Sequence, residues 1–258
     1  MSTRNPQSTI CDPAPPARAA FVTARWHHLA MLNYEVPPAI LEPLVPRGTE
    51  LDLFGGAAYA SVVGFRFLGT RVLGVAVPMH RDFDEVNLRF YVRRRAEDGE
   101  WRRGVVFVRE LVPRSAIALV ARVLYNEPYL AVPMRHAISL PDERTPRGEV
   151  RYDWRHNGRW QHLALEMAGA PRLAGPASIE EFITEHYWGY TRRHDGGTSE
   201  YRVEHPRWNV WPATRAELDV DASPLYGAAF ADLLQAPPSS ALIADGSPIT
   251  VYVGQRIT

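Results

Sequence analysis

The 258-residue sequence contains no lysine, so all 29 of its basic residues are arginine. A guanidinium stays protonated and cannot serve as an amine nucleophile. Chemistry through a lysine imine is therefore excluded, along with pyridoxal-phosphate anchoring and P-loop lysine chemistry. Cys11 is the only cysteine, which leaves no intramolecular disulfide, no multi-cysteine metal site and no Cys-x-x-Cys redox pair. Excess charge of either sign is missing too, because 29 Asp and Glu balance the arginines. That removes the basic footprint of a nucleic-acid binder and the polybasic patch of a membrane binder. No apolar run approaches the roughly 18–20 residues of a bilayer span, and the N-terminus lacks the apolar core of a signal peptide. The expectation is a soluble cytoplasmic protein. His-Glu-x-x-His, cysteine-histidine and carboxylate-rich metal spacings are absent, as are G-x-S-x-G, G-x-G-x-x-G and any internal repeat. No metal and no cofactor are expected.

What remains is a chain of short β segments. Residues 1–20, rich in Pro, Ala and Ser, read as a disordered leader, and no linker follows, so 21–258 is expected to form one β-rich α+β domain. Residues 21–36 read as a strand, and Pro37-Pro38 opens a short helix. On that strand the adjacent His27 and His28 would face opposite ways and could not chelate one metal. Gly55-Gly56 marks a tight turn between strands 51–54 and 57–67, and 72–77 reads as another strand. Asn157-Gly158 is a strong hairpin signal that would set Asp153 opposite His162, either as a dyad or as an exposed charge pair. Ser178 to Glu181 fits a capping box, with apolar and aromatic residues at helical spacing as far as Tyr190. Two strands are expected across Asp245-Gly246. Consecutive strands with few long crossover helices argue for a meander and against a Rossmann fold.

The most informative stretch is 82–115. From Glu85 to Arg93 the residues alternate, with Glu85, Asn87, Arg89, Tyr91 and Arg93 on one face and Val86, Leu88, Phe90 and Val92 on the other. If Asp98-Gly99 is a two-residue hairpin loop, Asn87 meets Glu110 and Arg89 meets Val108, and Glu85, Asn87, Arg89 and Glu110 share a face. Two readings stand: a wet outer face, or the lining of a barrel whose apolar side is covered by helices. Residues 115–125, apolar nearly all round with Ser115 as N-cap and Arg122 as the one charge, would be such a cover. Farther on, Glu200, Arg202 and Glu204 alternate with Tyr201, Val203 and His205. His186 and His205 look inward, either as acid–base groups or as hydrogen-bonded core histidines.

The segments R-W-H-H-L-A-M-L-N-Y-E-V, L-D-x-F-x-G, F-D-E-V-N-L-R-F-Y-V, G-V-V-F-V-R-E-L-V-P-R, E-H-Y-W-G-Y-T and E-Y-R-V-E-H-P-R-W occur in that order. Together they resemble the YqjF-like family of unknown function, DUF2071. That family is similar in turn to the acetoacetate decarboxylase-like superfamily. The resemblance implies a closed, mostly antiparallel β-barrel with a central pocket and a few covering helices. It makes Glu85 the counterpart of a catalytic carboxylate and sets Glu110 to Ser115 against the superfamily's Gly-Pro-Lys-Lys stretch. At the lysine positions this chain has Arg114 and Ser115, so decarboxylation through an imine does not transfer.

The expectation is a pocket for a small, anionic organic molecule. In an enzyme acting on an oxo or hydroxy acid, Glu85 and Glu110 would move protons and Arg89 or Arg114 would anchor a carboxylate. Asn87, Ser115, His186, Tyr201 and His205 would complete the binding surface. A non-catalytic binding or sensing module is the second reading. The third is a structural protein that forms a homo-oligomer through its aromatic segment, residues 187–211. A dry interior without a cavity would favour the third, and a cavity holding a carboxylate of raised pKa the first.

Overall fold

The computed structural model describes residues 19–76, 81–113 and 128–257. The leader, Cys11, Arg114, Ser115, Arg122 and the cover expected at 115–125 therefore lie outside the described residues, apart from positions 19 and 20. In chain order come β1 (Ala20–Val36), α1 (Pro38–Leu41), β2 (Glu50–Leu51), β3 (Ala58–Val72), β4 (Val75–Ala76), β5 (Phe83–Arg95), β6 (Trp101–Val112), β7 (Tyr129–Ala131) and β8 (Met134–Ser139). There follow β9 (Arg147–His156), β10 (Arg159–Ala168), β11 (Arg172–Leu173), α2 (Ile179–Thr184), β12 (Trp188–Arg192), β13 (Thr198–Glu204), β14 (Asn209–Pro212), β15 (Arg215–Asp219), α3 (Ala222–Tyr226), β16 (Ser240–Tyr252) and β17 (Gln255–Arg256).

The larger sheet closes on itself. Its path runs β16–β1–β3–β5–β6–β12–β13, and β13 pairs back onto β16. Every junction in this ring is antiparallel except β6–β12. Alternation along the long strands gives the ring two faces. Leu32, Tyr34, Val62, Leu88 and Phe90 face outward and are fully or almost fully buried. Their cover among the described residues is mainly a second antiparallel sheet, β15–β10–β9–β8, which contributes Tyr152, Trp154, Leu163 and Leu165 to the same core, joined by Leu41 of α1 and Ala222, Leu225 and Tyr226 of α3, the few covering helices expected from sequence. Burial of each such side chain stabilises the fold by about 1.5–3 kcal/mol, which is why this seam is apolar throughout. Gly64 sits at the seam because a Cβ there would lie 2.6 Å from Tyr152 Cδ2.

The hairpin between β5 and β6 differs from the expectation in one instructive way. Its loop is three residues, 97–99, closed by Ala96 N–H to Glu100 O at 2.9 Å, with Gly99 at φ +84°. That loop pairs Arg95 with Trp101 and Arg89 with Phe107, not with Val108. A bulge at Val108 then shifts the register by one, so Asn87 does meet Glu110. An extra residue inverts the side-chain parity of the strand, and this one puts Glu110 on the same inner face as Val105 and Phe107.

Other local expectations fall either way. Asn157 and Gly158, at φ +49° and +79°, form the hairpin turn, and Asp153 does pair with His162 in register. Their side chains turn elsewhere, however: buried Asp153 accepts from Arg151 and His162 bonds Glu217, so neither a dyad nor an exposed pair forms. β3 absorbs Val72, leaving only the short β4 beyond the turn. Asp245-Gly246 does not divide two strands, because β16 runs straight through with Gly246 at φ +86°. A Cβ at position 246 would lie 2.0 Å from the Trp26 carbonyl. The helix expected to reach Tyr190 stops at Thr184, since Trp188 and Gly189 join the sheet beside Gly104 and Val105. His28, at φ +55°, interrupts the alternation of β1 and brings the His27 and His28 rings to 5.4 Å, so they do not face opposite ways. No helix among the described residues is long and apolar enough to cross a membrane.

Candidate functional site

The ring encloses a cavity of about 80 Å³. Trp26, Phe65, Phe67, Phe107, Trp188 and Trp208 form much of its wall. Of the nine positions singled out from sequence, Glu85, Asn87, Arg89, Glu110, His186, Tyr201 and His205 line this one cavity, and Arg114 and Ser115 lie outside the described residues. The strand β5 supplies three of them at alternate positions because its other face is committed to the core against the second sheet.

Glu85 is 3% exposed, and Asn87 Nδ2 donates to its Oε1 at 2.9 Å. Burial pushes the Glu85 carboxyl up to about 7, against the smaller opposing effects of the Asn87 hydrogen bond and the Arg89 charge. Arg89 is also buried, its guanidinium carbon 5.7 Å from the centre of the Tyr91 ring. Neither Arg89 Nε nor Asn87 Oδ1 has a hydrogen-bond partner among the described residues. Leaving such groups buried and unmatched typically costs about 1–3 kcal/mol each, more when charged. Tyr91 itself is fixed from behind: its hydroxyl donates to Ser61 Oγ at 2.6 Å, and Ser61 donates to Asn33 Oδ1 at 2.6 Å.

A second group of ionisable residues reaches the cavity from the side. His186 Nε2 lies 3.1 Å from Asp52 Oδ2, and the same oxygen accepts from Arg103 Nε at 2.6 Å. Burial pushes the Asp52 carboxyl up, but the hydrogen bonds and charges of His186 and Arg103 outweigh it and leave the carboxyl below its ordinary value. Asp52 is thus an acceptor only, and the proton on His186 resides on Nε2. Burial pulls the His186 imidazole down to about 4, with Arg103 and Arg89 acting in the same sense and Asp52 opposing. Asp52 was not among the residues singled out from sequence. Its signal was the L-D-x-F-x-G turn, which places it one residue beyond β2, with its N–H donating to Tyr91 O at 3.0 Å.

His205 belongs to the aromatic wall. Its Nδ1 lies 2.9 Å from Pro206 O, its ring stacks on Trp208 at 4.1 Å, and burial lowers its pKa. Tyr201 lies so close to Gly189 that a Cβ there would be 2.0 Å from Tyr201 Cζ. Glu200, which alternates in sequence with Tyr201, Val203 and His205, is fully buried, bonded to Arg94 at 3.2 Å, Arg102 at 2.6 Å and the Tyr190 hydroxyl at 3.2 Å. The described residues contain no group of three or more His, Cys, Asp or Glu arranged to hold a metal ion.

The profile of the family DUF2071, described as an uncharacterized conserved protein, matches residues 23–248. The uncharacterized protein YqjF of Bacillus subtilis (strain 168) is 28% identical over 204 residues, 77% of this chain and 77% of that protein. Acetoacetate decarboxylase from Legionella pneumophila superposes with a TM-score of 0.61 at 13% identity, covering 100% of this chain and 98% of that one. An acetoacetate decarboxylase-like enzyme from Sphingomonas wittichii RW1 gives 0.62 at 14%, covering 98% and 96%. The enduracididine biosynthesis enzyme MppR complexed with pyruvate gives 0.65 at 14%, covering 98% and 93%. At such identities these structures establish a shared fold and nothing further.

Proposed function

We propose, since this chain belongs to the DUF2071 family and has an acetoacetate decarboxylase-like fold, that its cavity takes a small anionic oxo or hydroxy acid and acts on it by lysine-independent acid–base chemistry. The observation that carries this reading is Arg89, a permanent cation inside a closed sheet whose Nε has no hydrogen-bond partner among the described residues. A planar carboxylate supplies the missing acceptor, and a guanidinium binds such a group in bidentate fashion. Beside it, Glu85 has a raised pKa and therefore holds a proton that an oxo group could accept in a hydrogen bond. MppR, on the same fold, is complexed with pyruvate, a molecule of the proposed class. The absence of lysine restricts the chemistry to steps that form no imine.

The test is calorimetric titration with pyruvate, 2-oxobutanoate, phenylpyruvate and lactate. The wild-type protein should bind at least one, and Arg89→Ala should weaken that binding at least tenfold, corresponding to about 1.4 kcal/mol. Equal affinity in the two proteins, or no binding of any of the four acids, refutes the assignment. Turnover by the wild type that is lost in Glu85→Gln while binding is retained identifies an enzyme. Binding without turnover in any form of the protein identifies a binding module.

A further inference from the structure

We infer that His186, oriented by Asp52, is the proton acceptor of the cavity, and that with Glu85 as proton donor the site interconverts the keto and enol forms of a bound 2-oxo acid. This deepens the anionic-ligand reading above and rests on it.

The geometry is that of a held base. The His186 side chain is 1% exposed and lines the cavity, whereas Asp52 does not line it. Nε2 is committed to Asp52, and Nδ1 has no hydrogen-bond partner among the described residues. The ring is clamped edge-on by Phe182 at 5.1 Å and lies 4.6 Å from the Tyr91 ring, so it has little freedom to turn. Arg89 reaches the same Tyr91 ring, which places the carboxylate anchor and the imidazole beside one fixed aromatic group. A histidine needed only to support the Asp52–Arg103 pair would not require a second nitrogen that is buried and unmatched among the described residues. The charged and titratable groups around it are Asp52 beside β2, Glu85 and Arg89 on β5, and Arg103 and Glu110 on β6. Burial moves Glu85 and His186 in opposite directions: one keeps its proton toward neutral pH and the other releases it, as a donor and an acceptor should.

In the step itself, Arg89 holds the carboxylate of the 2-oxo acid. Nδ1 of His186 takes a proton from the carbon next to the carbonyl, and the C–H electron pair becomes the new C=C bond. The carbonyl π pair moves to oxygen, which takes the proton of the Glu85 carboxyl. The products are the bound enol, imidazolium and the Glu85 carboxylate. Reversal restores all three, so no co-reactant is consumed.

The experiment is proton NMR of pyruvate, 2-oxobutanoate or phenylpyruvate with the full-length protein in D2O, following loss of the signal next to the carbonyl. Wild-type protein should accelerate exchange, and His186→Gln should lower it roughly 100-fold, in the range that positioned acid–base groups contribute, while the calorimetric affinity stays within about threefold. Asp52→Asn should reduce the rate and move its pH profile, which a merely structural role would not do. Binding without exchange above the buffer rate, or full exchange by His186→Gln, overturns this inference and leaves the anionic-ligand reading standing. Failure of all three acids to bind overturns this inference, and failure of lactate as well removes both. If His186→Gln does not fold, histidine-15N spectra of the wild-type protein decide. A ligand-induced shift of Nδ1 with Nε2 still protonated supports the assignment, and an unmoved Nδ1 overturns it.

Discussion

Replacing Glu85 with Gln keeps the side-chain shape and the acceptor for Asn87 Nδ2 but removes the ionisable proton. In the folded protein the Glu85 carboxyl is pushed up from 4.5 to about 7 by burial. Between those two values the folded state keeps a proton that the unfolded chain has released. Stability therefore falls as pH rises through this window and levels off above it. A shift of about 2.5 pH units corresponds to roughly 3 kcal/mol at full ionisation. His28 and His186, both lowered to about 4, impose the opposite trend, since stability is lost as pH falls from 6.5 toward their folded values. The two histidines are common to both proteins, so the difference between Glu85→Gln and wild type isolates the carboxyl. Urea unfolding followed by the fluorescence of the seven tryptophans should show no difference near pH 4 and a growing advantage of the variant above it. That advantage should reach a plateau of about 3 kcal/mol above pH ~7.5, with unchanged m. A difference that stays flat with pH, or a variant less stable than wild type at pH 8, would refute the reasoning, because Arg89 would then be neutralising the buried carboxylate.

Glu200→Ala should lose about 3–5 kcal/mol in the same assay, because it leaves Arg94 and Arg102 facing each other without their shared carboxylate; a loss under about 1 kcal/mol would show that the arginines find other partners. Gly189→Ala should cost about 1–3 kcal/mol, since its Cβ drives the Tyr201 ring from its place in the cavity wall, and unchanged stability would contradict the close contact. Deleting Val108 removes the bulge and leaves a regular β5–β6 ladder in which Phe107 and Glu110 stay on the inner face, opposite Arg89 and Asn87. The expected result is a retained cooperative unfolding transition, and loss of that transition would refute the parity argument.

The site depends on parity along two strands, and the sequence resolves parity unequally. For Glu85, Asn87 and Arg89 it was legible, since hydrophobic alternation is a local property written into consecutive residues. Glu110 was placed on the right face by assuming a two-residue loop and no bulge, whereas the strand reaches that face through a three-residue loop and one bulge, two shifts that cancel. The Asn157-Gly158 turn was legible for the same reason as the alternation, because its backbone angles demand those residue types. The family segments made the barrel legible as well.

Only the tertiary structure decided which polar faces became an interior. Glu85 and Glu200 both alternate with apolar neighbours and read alike in sequence. One lines a cavity and the other is sealed between arginines from β5 and β6, more than ninety positions earlier in the chain. Likewise Asp52 and His186 are separated by 134 positions and meet because β2 pairs with β5 while β12 pairs with β6. Local composition, the missing lysine and strand periodicity were determined by the sequence itself. Ring closure, by contrast, sets distances between residues remote in the chain, and burial, charge pairing and proton affinity all depend on those distances.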